Sequence, residues 1–105
     1  MQIQINTDGN IEGSERLSAY VTGAVEKALS QFSHRITRVE VHLSDQNGDK
    51  SGQNDKRCTM EARLTGRQPM AVHHDAATVD EAVEGAADRL QRSIESVLGR
   101  LQPHG

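Results

Sequence analysis

The chain has 105 residues, with 12 Lys and Arg against 15 Asp and Glu, for a formal net charge of −3. Hydrophobic residues make up 34% and aromatics 2%. This size bounds the chain to one domain, residues 1–105, and the composition excludes several classes. No run approaches the roughly 20 apolar residues that cross a bilayer, and no basic, apolar and small-residue sequence marks a secretory signal. A single cysteine builds neither an internal disulfide framework nor a thiolate zinc site. A cytoplasmic domain is expected. The acidic balance argues against a general nucleic-acid coat, because Lys and Arg carry phosphate binding.

Gln2-Ile3-Gln4-Ile5-Asn6 alternates polar and apolar, which predicts a half-buried strand. Thr7-Asp8-Gly9-Asn10 supplies turn chemistry. From Ser14, a candidate N-cap, the period changes. Leu17, Val21, Ala24, Val25, Ala28, Leu29 and Phe32 fall three or four apart on one helical stripe. Gly23 costs this helix about 1 kcal/mol against Ala, so the stripe carries the assignment.

After Phe32 the period returns to two. Val39, Val41 and Leu43 face one way, with Arg38, Glu40 and His42 opposite. Cys58, Met60, Ala62 and Leu64 share a face, with Arg57, Thr59, Glu61 and Arg63 opposite. A further short run spans Met70 to His74. These three strands form a meander with one apolar and one wet face. Residues 44–56 contain no apolar side chain and predict a flexible hairpin loop.

The last element is a helix. Thr78-Val79-Asp80-Glu81 has the form of a capping box. Val79, Ala82, Val83, Ala86, Leu90, Ile94, Val97, Leu98 and Leu101 make its apolar stripe, and Pro103 follows. The order β-α-β-β-β-α predicts an α+β fold, a four-stranded sheet with two helices on one face.

Little in the chain points to an active site. Asp45, Asn47 and Asp49 begin a calcium-loop register, but Lys50 stands where the turn needs Gly and Lys56 where it needs Glu. His73 and His74 are strand neighbours and point to opposite faces, so the two rings do not easily share a metal; His42, on another strand, could approach one of them, which leaves a metal-dependent enzyme built on the three as a distant third reading. Cys58, beside Met60 on the apolar face, reads as a core residue. No phosphate-cradling glycine loop is present. The expectation is a non-enzyme with no cofactor, no metal and no small-molecule substrate.

The basic residues are better placed than their number suggests. Lys27, Arg35 and Arg38 run from the first helix into the second strand, and Arg57 and Arg63 share the wet face with Arg38. Arg89, Arg92 and Arg100 lie off the apolar stripe of the last helix. Acids interleave with both groups.

Three stretches resemble the ribosome hibernation-promoting factor and ribosome-associated inhibitor family, also called ribosomal subunit interface or sigma-54 modulation proteins. Met1-Gln2-Ile3-Gln4-Ile5 resembles its first strand, and Leu29-Ser30-Gln31-Phe32-Ser33-His34-Arg35-Ile36 its first helix end. Ala82-Val83 through Asp88-Arg89-Leu90-Gln91-Arg92-Ser93-Ile94 is similar to its last helix. In order and spacing the resemblance covers Met1 to about Leu101, in the manner of the family's short form.

The resemblance implies a factor that binds the small ribosomal subunit and its rRNA. It implies occlusion of the channel for messenger and transfer RNA, as in hibernation or stress. Arg35, Arg89 and Arg92 match basic family positions, and Lys27 and Arg38 lie near others, so these five are the expected RNA contacts. The chain departs from the family in its last helix, where residues 78–101 hold three basic and five acidic residues. The alternative reading is a protein-interaction or regulatory module of the same fold with weakened RNA binding. Homodimerisation through an edge strand stays open.

Overall fold

The computed structural model describes residues 1–9, 11–46 and 55–99. Their elements are β1 (Gln2–Thr7), α1 (Glu15–Leu29), a 3₁₀ helix (Ser30–Arg35), β2 (Ile36–Asp45), β3 (Lys56–Leu64), β4 (Met70–Ala76) and α2 (Val79–Gly99). This is the expected β-α-β-β-β-α order. The sheet runs β1-β2-β3-β4, with β1 parallel to β2 and the other pairs antiparallel.

Alternation along the strands sorts their side chains into two faces. On the core face Val39 lies opposite Ala62, Val41 opposite Met60 and Leu43 opposite Cys58. β4 extends these rows with Met70, Val72 and His74. β1 adds Ile3 beside Val39 and Ile5 beside Val41. The two helices cover this face. Leu17, Val21, Val25 and Leu29 are buried from α1, and Ala82, Val83, Ala86, Ala87, Leu90, Ile94 and Leu98 from α2. Fully burying a side chain such as Leu90 or Ile94 contributes about 1.5–3 kcal/mol.

The caps form where the sequence places them. Ser14 Oγ accepts from Leu17 N–H at 3.0 Å. Thr78 Oγ1 accepts from Glu81 N–H at 3.1 Å, and its hydroxyl donates to Glu81 Oε1 at 2.9 Å. The Glu81 carboxylate thus meets the cap hydroxyl. In a full capping box it would meet the cap's backbone N–H.

Two boundaries differ from the periodic reading. The α-helical part of the first helix stops at Leu29, and the tighter 3₁₀ helix carries Phe32 to its half-buried place. The expected hairpin loop is trimmed at both ends, because Asp45 pairs with Lys56 and Ser44 with Arg57. Polar residues can extend a ladder whose bonds are backbone bonds. Residues 47–54 of that loop, and Arg100, Leu101 and Pro103, lie outside the described residues.

Small residues set how closely α2 lies on the sheet. A Cβ on Gly85 would overlap the His74 ring of β4. Gly23, halfway along α1, faces open space. The two glycines therefore predict opposite signs for the same change. Gly23→Ala raises stability by about 0.5–1 kcal/mol, read by urea denaturation. Gly85→Ala lowers it by about 1–3 kcal/mol through overpacking. Adding His74→Ala to Gly85→Ala recovers most of that loss, whereas an additive double mutant would show that the clash is not the cause.

Cys58 has no exposed surface, and burial pushes its thiol up from 9.0 to about 12. A raised value means that the folded state holds the proton more tightly. Its share of stability is complete below the ordinary value of 9.0 and is lost as pH climbs toward about 12. Iodoacetamide at pH 8 is expected to label Cys58 only in denaturant, and Cys58→Ala to flatten the alkaline fall in stability.

Candidate nucleic-acid interface

The open face of the sheet carries charge in rows. Nearest the start of β2, Arg38 lies directly opposite Arg63. In the next row Glu40 lies opposite Glu61, and beyond it His42, Thr59 and His73 line up across three strands. In these first two rows the ion pairs run along each strand and not across. Arg38 meets Glu40 at 2.8 Å and also bonds Gln4 of β1, while Arg63 meets Glu61 at 3.8 Å. Arg38 Nε is covered and has no acceptor. Like charges directly opposite each other on a sheet are destabilising, so this register separates sign along the strands at a cost.

Around the end of the sheet the positive row continues. Arg35 closes the 3₁₀ helix, and its carbonyl accepts from Thr65 N–H at 3.0 Å. Arg67 N–H donates to the Leu64 carbonyl at 3.2 Å, in a turn where Gly66 has φ +74°. That conformation suits glycine. Residues 27–39 and 62–74 contain no Asp or Glu. The antiparallel register pairs 36–39 with 62–64, and the Thr65 N–H bond to the Arg35 carbonyl extends that contact, bringing the backbone of Arg35, Arg38, Arg63 and Arg67 to one corner. Among the described residues, Lys27, Arg35, Arg67 and Arg89 enter no ion pair.

Acids collect at the opposite end. Asp8 Oδ2 accepts from Asp45 N–H at 3.2 Å, and Lys56 Nζ lies 3.4 Å from Asp45 and 2.9 Å from Asp55. Arg57 grips Asp75 through two bonds of 2.7 and 3.1 Å. These bonds hold the Asp75 carboxyl below the usual carboxylate range.

The five expected contacts are not one strip. Arg38 lies on the open face of the sheet. Arg35 turns toward the helices, lining a groove with Phe32, His34, Glu95 and Leu98. Lys27 faces another groove on the seam of α1 and α2, among Glu84, Asp88 and Gln91. Arg89 and Arg92 follow Gly85 at helical spacing, on the flank of α2 toward β4, and both are exposed. Arg92 is engaged by Asp88 at 3.2 Å. The structure thus brings the backbone of Arg35 and Arg38 to one corner with that of Arg63 and Arg67, while Arg89 and Arg92 are carried by α2. Spacing within one strand does not reveal the meeting of Arg38 and Arg63. The signal is the absence of acids from both segments, read together with the hairpin.

Other groups have structural employment. Tyr20 Oη donates to Glu84 Oε1 at 2.6 Å, tying α1 to α2. That bond, more than burial, pushes the hydroxyl up to about 12. His73 faces the open side with Thr59, and His74 the core side with Cys58. No group of three or more metal-ligating side chains converges among the described residues, and no described helix is long and apolar enough to cross a membrane.

Known proteins share this fold. A solved structure of the Protein Y N-terminal domain from Thermus thermophilus aligns with a TM-score of 0.74 at 21% identity, over 92% of this chain and 99% of that one. A ribosomal subunit interface protein from Coxiella burnetii aligns with a TM-score of 0.80 at 12% identity, over 94% and 99%. Both establish the fold. The chloroplast ribosome-binding factor PSRP1 of Spinacia oleracea is 25% identical over 97 residues. Those residues are 91% of this chain but 32% of the spinach protein, so the chain spans about a third of that relative. The profile of the sigma 54 modulation protein and S30EA ribosomal protein family matches residues 3–102. With that span matched and the fold in agreement, the chain belongs to the sigma 54 modulation protein / S30EA ribosomal protein family, a family of ribosome-associated factors rather than enzymes.

Proposed function

We propose that the protein binds the small ribosomal subunit and inhibits translation by occupying the channel for messenger and transfer RNA. Family membership supports ribosome association. The observation that carries RNA contact is the corner where Arg35 and Arg38 meet Arg63 on two segments, 27–39 and 62–74, that hold no acid, in a chain whose net charge is −3. Binding by occlusion needs no covalent step and no cofactor. It needs a body that fills the space and cations that meet phosphates. Lys27, Arg89 and Arg92 add positive charge along the helical layer, interrupted by Glu84, Asp88 and Glu95. That interruption favours a contact weaker and more salt-sensitive than an all-basic helix would make.

Sedimentation with purified small subunits tests this at about 50 and 200 mM salt, a range over which a phosphate-dominated contact weakens steeply. The protein is expected to travel with the subunit at low salt and to be partly released at the higher one. It should also reduce messenger binding to the same subunits. If it stays at the top of the gradient at both salts, the reading is wrong. Arg35→Ala with Arg38→Ala should weaken binding more than Arg89→Ala with Arg92→Ala.

The acidic seam of the helical layer supports a second reading, a module that binds a basic protein. A pull-down that keeps a defined protein partner after nuclease treatment favours that reading, and one abolished by nuclease counts against it.

A further inference from the structure

We infer that Arg38, Arg63 and Arg67 form a phosphate-binding corner for single-stranded RNA on the open side of the sheet, separate from the arginines of α2. This rests on the RNA-binding reading above and deepens it, adding Arg67 and naming the ligand chemistry.

The charge rows carry the inference. A hairpin built only for stability would set Arg opposite Glu in both rows, because opposite-charge pairs stabilise a sheet. Here Arg38 opposes Arg63 and Glu40 opposes Glu61. The cost has a product, an outer row of pure positive charge at the end of the sheet. The adjoining turn adds Arg67, half-buried and without an ion pair among the described residues. The nearest acids on this face, Glu40 and Glu61, sit one row inward and hold Arg38 and Arg63 from behind.

The ligand chemistry follows from what is present. Guanidinium groups match phosphate oxygens in a bidentate fork. Arg38 leaves Nε without an acceptor in its bond to Glu40 and Gln4, so turning to a phosphate can satisfy a donor now unmet. No aromatic platform accompanies the corner. Phe32 lies on the helical side and Tyr20 is bound to Glu84. Bases are therefore not stacked here, and the corner reads the backbone and not sequence. A run of linked phosphates meets the three arginines better than one free phosphate does.

Fluorescence anisotropy with a labelled 20-nucleotide oligo(U), beside small-subunit sedimentation, tests the corner. Arg63→Gln with Arg67→Gln should weaken oligo(U) binding roughly tenfold and reduce the slope of log affinity against log salt by about 1.4, near 0.7 per lost contact. Glu61→Gln should strengthen binding, since it removes the carboxylate behind Arg63. Arg63→Gln alone should fold and melt close to the parent, because the repulsion from Arg38 that it relieves offsets the exposed pair with Glu61 that it loses. An affinity loss with unreduced stability is an outcome that a structural role does not give. If the double variant binds oligo(U) and subunits as the parent does, with the same salt slope, the corner is wrong whatever the protein does to ribosomes. If the parent binds oligo(U) through these arginines but ignores subunits, the ribosome reading falls and the corner stands. If the parent binds neither, both fall.

Discussion

The register of β2 against β3 is the constraint on which the rest depends. Side chains alternate along a strand, so a slip of one residue would move every side chain of that strand to the other face. In the register adopted, Val39, Val41 and Leu43 meet Ala62, Met60 and Cys58 beneath the helices. The same register places Arg38 against Arg63 and Glu40 against Glu61 in the open. The core and the charge rows are thus one decision. The buried face supplies the energy that fixes it, because exposing the three apolar side chains of the slipped strand would cost far more than two like-charge contacts do. The hydrophobic core can therefore hold an arrangement on the opposite face that charge alone would reject.

The core that enforces this is built from small pieces. With 2% aromatic residues, the space between sheet and helices cannot be filled by a few large rings. It is filled by Ala, Val and Leu in close contact, with α2 near enough to β4 that Gly85 touches the His74 ring. Close approach is also why α2 buries two adjacent alanines, Ala86 and Ala87, where a wider gap would need longer side chains. Interiors of this kind are as dense as those with aromatics, and their cavities and overlaps are felt at the level of single methyl groups.

Most of the fold is legible in the sequence because its signals are local. The stripe from Leu17 to Leu29, the alternation around Val39 and Met60, and the caps at Ser14 and Thr78 each depend on residues within a few positions of one another. Less legible features depend on partners far along the chain. The stripe continues to Phe32 in sequence, yet the backbone tightens after Leu29 to feed Arg35 into the sheet corner. Polar Ser44, Asp45 and Lys56 read as loop and lie in strands because a ladder needs backbone groups only. The candidate site divides in the same way. Arg35 and Arg38 are visible as neighbours, three residues apart. Their meeting with Arg63 and Arg67 waits on the register.

Net charge is a poor guide to binding when the fold sorts charge by position. A chain with 15 acids and 12 bases would repel RNA if the two kinds were evenly spread. Here Asp8, Asp45, Asp55 and Asp75 gather at one end of the sheet, while the arginine corner occupies the other. Charges more than about 10 Å apart are largely screened from one another at 0.1 M ionic strength. A phosphate at the corner therefore feels the local arginines and little of the distant acids. At lower salt the two ends act together, and the acidic end turns the corner toward an anionic surface as the protein approaches. An excess of acid at the far end then contributes orientation, and the same −3 that argues against a uniform coat on RNA is consistent with a single oriented contact.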